Sequence, residues 1–373
     1  MQLPRMFDRL VGHHRHPPAA VDSQADLPAA LHGPKLRNGV IRVLLFAAVV
    51  VALIVALPGL GSIRGRLAHG NPAWLVLAAS FRLLSALSYV VLFRAIFAPK
   101  MSRRLSYQIA MSEIGLNALV PAGGASGLAI GGWVLHRRGM PTDEVLERSA
   151  QFFVFTSAFN VGAVAVLGWL GAAGILVTHG SPALSAVPAL VASAVMVLAV
   201  ALVPQVSKLQ ARQAKRRSHS LRWWLEDVAA ELGTGAQGAI ELFRKHNPRA
   251  LAAGAAYLMF DIAALWAAVR AFGGHMALQP LAMAYLVGQL AGEIPVPGGL
   301  GAVDGGLIAT LTLYGLPLSI ATAGALAYRA IALGVPVVFG GLAAVGLTRT
   351  IRQWDRNDQL GVGTVAPASD IAH

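Results

Sequence analysis

Long apolar runs separated by short polar loops occupy most of the chain after residue 42. Eight runs are present, at 43–60 and at approximately 73–97, 107–135, 150–177, 182–204, 250–271, 277–315 and 320–347. A helix needs about 20 mostly apolar residues to cross the hydrocarbon core of a bilayer. The pattern therefore predicts an all-α polytopic membrane protein.

Two of the runs, 107–135 and 277–315, are interrupted by proline and glycine. The interruptions contain Asn117, Pro121, Gly123 and Gly124 in the first run, and Glu293, Pro297, Gly298 and Gly299 in the second. Backbone groups freed at such breaks cannot face lipid unpaired, so they are buried in protein or line a wet cavity. We predict about six full spans plus two broken, re-entrant elements. The alternative is that both runs cross fully, which gives eight or more ordinary spans.

The two halves of the chain match each other when one is shifted by 176 residues. The shift superposes four proline or glycine positions, pairing Pro121 with Pro297, Gly123 with Gly299, Gly139 with Gly315 and Pro141 with Pro317. The predicted helices superpose as well. We therefore predict two repeat units, at about 73–177 and 249–347, each consisting of a helix, a broken element and a helix.

Composition supports the membrane class and excludes several others. Only 13% of the residues are charged, the mean hydropathy is +0.61, and 30 Lys and Arg against 17 Asp and Glu give a net charge of +13. In a soluble protein this charge would suggest nucleic acid. Here the basic residues lie in short loops, where they set orientation and face anionic head groups. The absence of cysteine excludes disulfides and thiolate metal sites.

The basic loops also predict how the elements are oriented. The first broken element is flanked by basic residues on both sides, whereas the flanks of the second, 273–279 and 314–318, contain no Lys, Arg, Asp or Glu. By the positive-inside rule the first element opens to the cytoplasm and the second to the outside. The two units then have opposite topology, and such inverted repeats are typical of alternating-access transporters.

The remaining segments are predicted to be cytoplasmic. Residues 1–38 form a disordered N-terminal tail, in which a histidine cluster is an alternative metal site. The basic connector 205–249 links the two halves of the transmembrane domain 39–347, and residues 348–373 form a C-terminal tail. Both termini are therefore expected inside a multi-pass protein.

Charged residues within membrane segments are the candidates for function, because each costs roughly 2.5–3.5 kcal/mol at the centre of a span. Arg329 is expected to pair with Asp304 or Glu293 when the site is empty, and to bind a phosphate when it is full. The alternative is a static salt bridge. Arg82 and Asp261 occupy similar depths in equivalent helices, as a second polar pair or as two unrelated polar contacts. Glu113 is a further intramembrane charge. The predicted substrate-binding residues are Arg329, Asp304, Glu293, Pro297, Gly298, Gly299, Asn117, Pro121, Gly123, Gly124, Arg82 and Asp261.

Motifs of soluble enzymes are missing from the sequence. The glycines after Pro297 lack the preceding strand and the spacing of a dinucleotide fingerprint, and they lack the lysine of a P-loop. No nucleophile motif and no histidine pair at helical metal spacing is present. We therefore expect no cofactor, no metal and no enzymatic activity.

The residues of both breaks resemble those of a known family. Glu293-Ile-Pro-Val-Pro-Gly-Gly-Leu-Gly-Ala-Val-Asp304, followed by Tyr314-Gly-Leu-Pro and Ala327-Tyr328-Arg329, resembles the second motif of the lysylphosphatidylglycerol synthase transmembrane region. Asn117-Ala-Leu-Val-Pro-Ala-Gly-Gly is similar to the first motif. The resemblance covers about 40–347. It implies a bacterial inner-membrane protein related to lipid flippases. Because no soluble aminoacyl-transferase domain follows Leu347, it also implies that this chain does not itself synthesise lysylphosphatidylglycerol.

These observations lead to one functional hypothesis and two alternatives. The hypothesis is a flippase-like protein that translocates an anionic phospholipid or a lipid-linked precursor across the bacterial inner membrane. Its partners would be membrane lipids with anionic head groups, and enzymes of lipid or glycan synthesis. The alternatives are a non-transporting accessory or scaffold protein for lipid or glycan synthesis, and a proton-coupled transporter of small solutes.

Overall fold

The computed structural model of the chain describes residues 65, 69–97, 101–119, 125–176, 182–213, 247–290 and 300–359. Within these ranges the regular structure is entirely α-helical, as the apolar runs predict. Nine helices with described bounds follow in chain order: α1 (Pro72–Phe97), α2 (Arg103–Leu119), α3 (Ala125–Arg137), α4 (Thr142–Ala172), α5 (Ala183–Gln213), α6 (Pro248–Ala271), α7 (Leu278–Leu290), α8 (Leu300–Leu313) and α9 (Leu318–Gln359).

Four of the described helices, α1, α4, α6 and α9, are long and apolar enough to cross a membrane. Helix α5 is apolar over Ala183–Ala199 and continues to Gln213. The predicted first span at 43–60 lies outside the described residues, as do the tail 1–38 and the connector residues 214–246. The total of about six spans therefore stays a prediction.

Each of the two interrupted apolar runs forms a pair of short helices. Helices α2 and α3 have 17 and 13 residues, and α7 and α8 have 13 and 14. At about 1.5 Å per residue, none of the four covers a hydrocarbon core of about 30 Å by itself. The predicted breaks are thus confirmed, although the breaking residues at 120–124 and 291–299 lie outside the described part of the chain.

The helices of each pair pack against one another in antiparallel fashion. In α7–α8, the Thr310 hydroxyl donates a hydrogen bond to the carbonyl oxygen of Ala284 at 2.9 Å. A Cβ atom on Gly288 would lie 2.9 Å from the Cα of Leu307, so glycine is what allows this close approach. We call α2–α3 the first hairpin and α7–α8 the second hairpin.

Helices α1 and α6 pack side by side and run in opposite directions. The backbone N–H of Asn71, just before α1, donates to the carbonyl oxygen of Ala271, the last residue of α6, at 2.8 Å. Further along, the rings of Trp74 and Trp266 meet edge to face with centroids 5.2 Å apart. Because partners early in α1 lie late in α6, the pairing is antiparallel along the contact.

Helix α9 packs closely against α2 through small residues. A Cβ atom on Gly115 would lie 2.9 Å from the Cα of Gly340, and one on Gly340 would lie 2.5 Å from the carbonyl oxygen of Met111. Glycines at this crossing let the two backbones touch, as small residues do between membrane helices. The contact joins the first hairpin to the last helix of the second half.

The two hairpins open at opposite ends of α9. The end of α3 lies near the end of α9, since Arg137 pairs with Asp355 and the guanidinium of Arg138 lies 4.2 Å from the ring centre of Trp354. The loop before α7 lies near the start of α9, since a Cβ on Gly274 would lie 2.9 Å from Ile320. The second hairpin therefore begins and ends at the other end of α9 from the first.

Three helix boundaries differ most from the predicted ones. Helix α5 continues past residue 204 to Gln213, into the stretch predicted as the connector. Helix α9 continues past residue 347 to Gln359, into the polar stretch predicted as a tail, because that stretch packs on the end of α3 through Trp354 and Asp355. Helix α4 begins at Thr142 rather than near 150. Asp143 and Glu144 lie in its first turn, where negative charge suits the positive end of the helix dipole.

Candidate functional site

A buried ion pair joins α1 and α6 near the middle of both helices. The Nη1 atom of Arg82 lies 2.7 Å from Oδ1 of Asp261, and the two side chains are 11% and 6% exposed. Arg82 is ten residues into α1, about 15 Å along its axis. Of the two possibilities that the sequence leaves open, a polar pair and two unrelated contacts, the structure shows the pair. Their role in substrate binding stays a prediction.

Several neutral groups extend this pair into a network that reaches the second hairpin. The Tyr285 hydroxyl donates to Oδ2 of Asp261 at 2.7 Å, and the Gln289 side-chain amide donates to the Tyr285 oxygen at 3.2 Å. Both carboxylate oxygens of Asp261 are thus satisfied, which is what a buried carboxylate requires. The network therefore connects α1, α6 and α7.

A second ion pair joins α8 and α9. Nε of Arg329 lies 3.4 Å from Oδ1 of Asp304, and the side chains are 23% and 13% exposed. The Nε atom is buried and makes no hydrogen bond to the residues that the structure describes. The pairing of Arg329 with Asp304, one of the two predicted partners, is confirmed. This pair is longer than Arg82–Asp261 and less fully hydrogen-bonded, so less interaction energy opposes its separation.

Tyr328 brings α9 into contact with the network around Asp261. It precedes Arg329 on α9, it is buried, and its ring stands edge to face against the ring of Tyr285 with centroids 6.1 Å apart. Helix α9 thus contributes one residue to this network and the next residue to the second ion pair. Tyr285, Gln289 and Tyr328 were not among the predicted site residues. Their one signal in the sequence is that a hydroxyl or amide in an apolar helix needs a partner.

The other predicted site residues are only partly covered by the structure. Asn117 lies in the last turn of α2 and is half-buried. Seven predicted residues lie outside the described part of the chain: Pro121, Gly123, Gly124, Glu293, Pro297, Gly298 and Gly299.

Glu113, a further predicted intramembrane charge, lies apart from both pairs. It is buried in α2, and the Tyr89 hydroxyl of α1 donates to its Oε2 at 3.2 Å. Among the described residues no three His, Asp or Glu side chains are close enough to hold a metal ion. The contacts that the structure shows for these residues are ion pairs and hydrogen bonds.

Comparison with known proteins identifies the family. The model of the family described as "Lysylphosphatidylglycerol synthase TM region" matches residues 40–340, which is most of the chain. The chain belongs to this family. No curated protein and no solved structure matches it. The membership, together with the four apolar helices, makes this member of the lysylphosphatidylglycerol synthase TM family an integral membrane protein. Both ion pairs lie within the family-matched part of the chain.

Proposed function

We propose that this protein is a flippase-like transporter that moves an anionic phospholipid or a lipid-linked precursor across the bacterial inner membrane. The observation that carries the proposal is the Arg329–Asp304 pair. Arg329 lies eleven residues into α9, about 17 Å along its axis, which is near the middle of a hydrocarbon core of about 30 Å. A charge at that depth is costly and marks a substrate pathway more often than a structural contact.

The geometry of the pair suits exchange with a phosphate. The contact of 3.4 Å leaves the buried Nε of Arg329 without a hydrogen bond within the described residues. A phosphate oxygen would supply that bond, and the planar guanidinium favours bidentate contact. Asp304 lies in the second turn of α8, so the helix dipole adds positive potential nearby. Asp304 would hold Arg329 in the empty state and release it to the phosphate.

The helix order supports an inverted repeat, an arrangement that is common in alternating-access transporters. A shift of 176 residues carries the starts of α1, α2, α3 and α4 to within one residue of the starts of α6, α7, α8 and α9. Gly139 and Gly315, which are equivalent under this shift, both have positive φ values, of 89° and 98°. The equivalent helices α1 and α6 run antiparallel, as two copies with opposite topology would.

The hairpins supply a gate to each face of the membrane in this proposal. They open at opposite ends of α9, and the end next to the first hairpin carries the arginines of α3 and α9. By the positive-inside rule that end is cytoplasmic, which also puts the C-terminus inside. Movement of one hairpin at a time would expose the Arg329 region to one face and then to the other. The proposal assigns no catalytic chemistry to the chain.

A test of transport uses purified protein in liposomes that contain fluorescent phosphatidylglycerol. Protein-dependent movement of the labelled lipid between leaflets is measured by chemical quenching of the outer leaflet. Arg329→Ala is expected to lower the rate by about tenfold or more, because charge-assisted hydrogen bonds contribute roughly 1.5–3 kcal/mol. Arg349→Ala is the matched control, since Arg349 is exposed on the same helix.

The outcomes separate the candidate functions. Loss of movement in Arg329→Ala, with normal movement in Arg349→Ala and in wild type, supports the proposal. An inactive wild type favours an accessory or scaffold role, and uptake of a soluble solute driven by a proton gradient favours the small-solute transporter. Equal rates for Arg329→Ala and wild type would contradict the role of Arg329.

The inverted topology has its own test, because the chain has no cysteine of its own. Single cysteines replace His275, Leu318 and Arg352, all of which are exposed. We expect an impermeant thiol reagent to modify the first two from outside intact cells, and Arg352→Cys only after permeabilisation. Modification of His275→Cys and Leu318→Cys from different sides would exclude a second hairpin that opens to one face.

A further inference from the structure

The carboxyl group of Glu113 is buried, and no charged side chain of opposite sign pairs with it among the described residues. The residue is 1% exposed, and its described hydrogen bond comes from the Tyr89 hydroxyl at 3.2 Å. None of the described ion pairs includes it. Glu113 lies ten residues into α2, about 15 Å from the start of that helix. Its surroundings therefore differ from those of Asp261 and Asp304, each of which faces an arginine.

The space for this carboxyl group is provided by a glycine of α3. A Cβ atom on Gly131 would overlap the Oε1 atom of Glu113, and it would also lie 3.4 Å from Ile109. The Tyr89 ring is itself held between aromatic rings, with centroids 5.0 Å from Phe152 and 5.9 Å from Tyr257. Among the described residues the surroundings are therefore mainly apolar and aromatic, and the Tyr89 hydroxyl reaches the carboxyl group.

Several charged groups of the surrounding helices have described partners other than Glu113. The phenols of Tyr89 on α1 and of Tyr257 on α6 are the titratable groups on this side of the pocket. Three arginines on the neighbouring helices form ion pairs with other carboxylates. These pairs are Arg82 with Asp261, Arg148 with Glu144, and Arg137 with Asp355. Arg94, His136 and Arg349 form no ion pair with Glu113 among the described residues.

We propose that Glu113 is a proton-binding site of the first hairpin, and that loss of its proton to water separates α2 from α3. In the packed arrangement the protonated carboxyl group fits between Tyr89 and Gly131 as a neutral group. Its ionised form would place an uncompensated charge in a dry pocket, which is far more costly than a neutral polar group there. The ionised form therefore favours an arrangement in which water or head groups reach the carboxylate.

The second half of the chain offers a comparison for this site. Gln289 stands 176 positions after Glu113, and its amide donates to the Tyr285 hydroxyl oxygen at 3.2 Å. A neutral side chain of the same length thus bonds a tyrosine in the second hairpin. Glutamine at position 113 would accept from the Tyr89 hydroxyl through its amide oxygen, and it carries no titratable proton. The Glu113→Gln variant therefore removes the titration and keeps the shape.

The first experiment detects the proton directly. Infrared difference spectra between two pH values are recorded for wild type and Glu113→Gln in lipid bilayers. We expect a carbonyl stretching band of a protonated carboxylic acid in wild type that Glu113→Gln lacks and that Asp304→Asn keeps. Identical carboxylic acid bands in wild type and Glu113→Gln would overturn the proposal.

The second experiment detects the movement of α2. Ser112→Cys places one thiol on α2, at a side chain that is 3% exposed, in a chain with no other cysteine. The rate at which a thiol reagent modifies this cysteine is measured as a function of pH, both with Glu113 present and in the Glu113→Gln background. The thiol titrates in both proteins, so its own pH dependence cancels when the two rates are compared. The ratio compared is the labelling rate with Glu113 divided by the rate in the Glu113→Gln background. Raising the pH is expected to increase this ratio by up to about a hundredfold. That factor is the free energy of burying a charge, expressed as a ratio of the two populations.

The outcomes of the labelling experiment are independent of lipid transport. A ratio that rises with pH, and that is unchanged by Asp304→Asn, supports the proton site. A ratio that is the same at every pH overturns it, provided that both proteins elute as a single folded species. Neither experiment measures lipid movement. Both therefore test the role of Glu113 even in a protein that shows no lipid transport in liposomes.

Discussion

Replacing Asp261 by alanine is expected to destabilise the protein strongly. The change leaves the guanidinium of Arg82 charged and without its counter-ion between α1 and α6. The two side chains are only 11% and 6% exposed, and their atoms are 2.7 Å apart, so water cannot readily replace the lost partner. The same change removes the acceptor of the Tyr285 hydroxyl.

The magnitude follows from these two losses. Removing one partner of a buried ion pair costs about 3–5 kcal/mol, most of which is the penalty of the charge left behind. The orphaned hydroxyl adds roughly 1 kcal/mol. We therefore expect Asp261→Ala to lower the free energy of unfolding by about 4–6 kcal/mol. Replacing both residues, as in Arg82→Met with Asp261→Leu, removes both charges and should lie within about 1 kcal/mol of wild type.

Reversible unfolding in mixed micelles, followed by circular dichroism as the denaturing detergent increases, measures both variants. Asp355→Ala is the matched control, because Asp355 also pairs with an arginine but its side chain is 41% exposed. A pair so exposed contributes about 1 kcal/mol or less. The reasoning is refuted if Asp261→Ala costs no more than Asp355→Ala, or if the double replacement costs as much as the single one.

Three further predictions concern packing. Gly340→Ala should lower the free energy of unfolding by about 1–3 kcal/mol in thermal unfolding, because its Cβ would lie 2.5 Å from the Met111 carbonyl oxygen. Gly341→Ala is the control and should be neutral or slightly stabilising, because a Cβ there meets open space. Tyr285→Phe should cost about 1 kcal/mol by the same measurement, since it removes one hydrogen bond to the buried carboxylate of α6. Trp354→Ala should destabilise the end of α9 by roughly 1 kcal/mol, since the guanidinium of Arg138 lies 4.2 Å from the centre of the Trp354 ring. The backbone amides there should then exchange hydrogen faster, and unchanged exchange rates would contradict this role.

The elements that could be predicted from the sequence are those that the lipid environment dictates. An apolar helix must be long enough to cross lipid, and a Pro–Gly break must be shielded from it, so the spans α1 and α6 and the two interrupted runs follow from local composition. The same reasoning marked Arg82 and Asp261, because an intramembrane charge needs a partner and the two lie at similar depths. In each of these cases the constraint is local.

The features that could not be predicted depend on contacts between distant residues. Gly115 and Gly340 meet at the α2–α9 crossing, but a glycine in an apolar helix gives no sign of which helix it will face. Tyr285 completes the Asp261 site from another helix, and nothing in its own neighbourhood indicates that. The polar stretch after residue 347 is helical because it packs on the end of α3, which its hydropathy does not indicate.

The difference between the two ion pairs suggests a division of roles between them. Arg82–Asp261 joins the two halves, is short, and has both carboxylate oxygens hydrogen-bonded, so separating it would expose two charges to a dry interior. Arg329–Asp304 lies within the second half and is longer at 3.4 Å, whereas a buried Nε without a hydrogen bond in the described part of the chain is common to both arginines. The geometry favours the first pair as the fixed joint about which the halves move, and the second as the exchangeable site. If so, Asp261→Ala should reduce the folded fraction while the remaining folded protein transports normally, whereas Arg329→Ala should lower the transport rate of the folded protein by about tenfold or more.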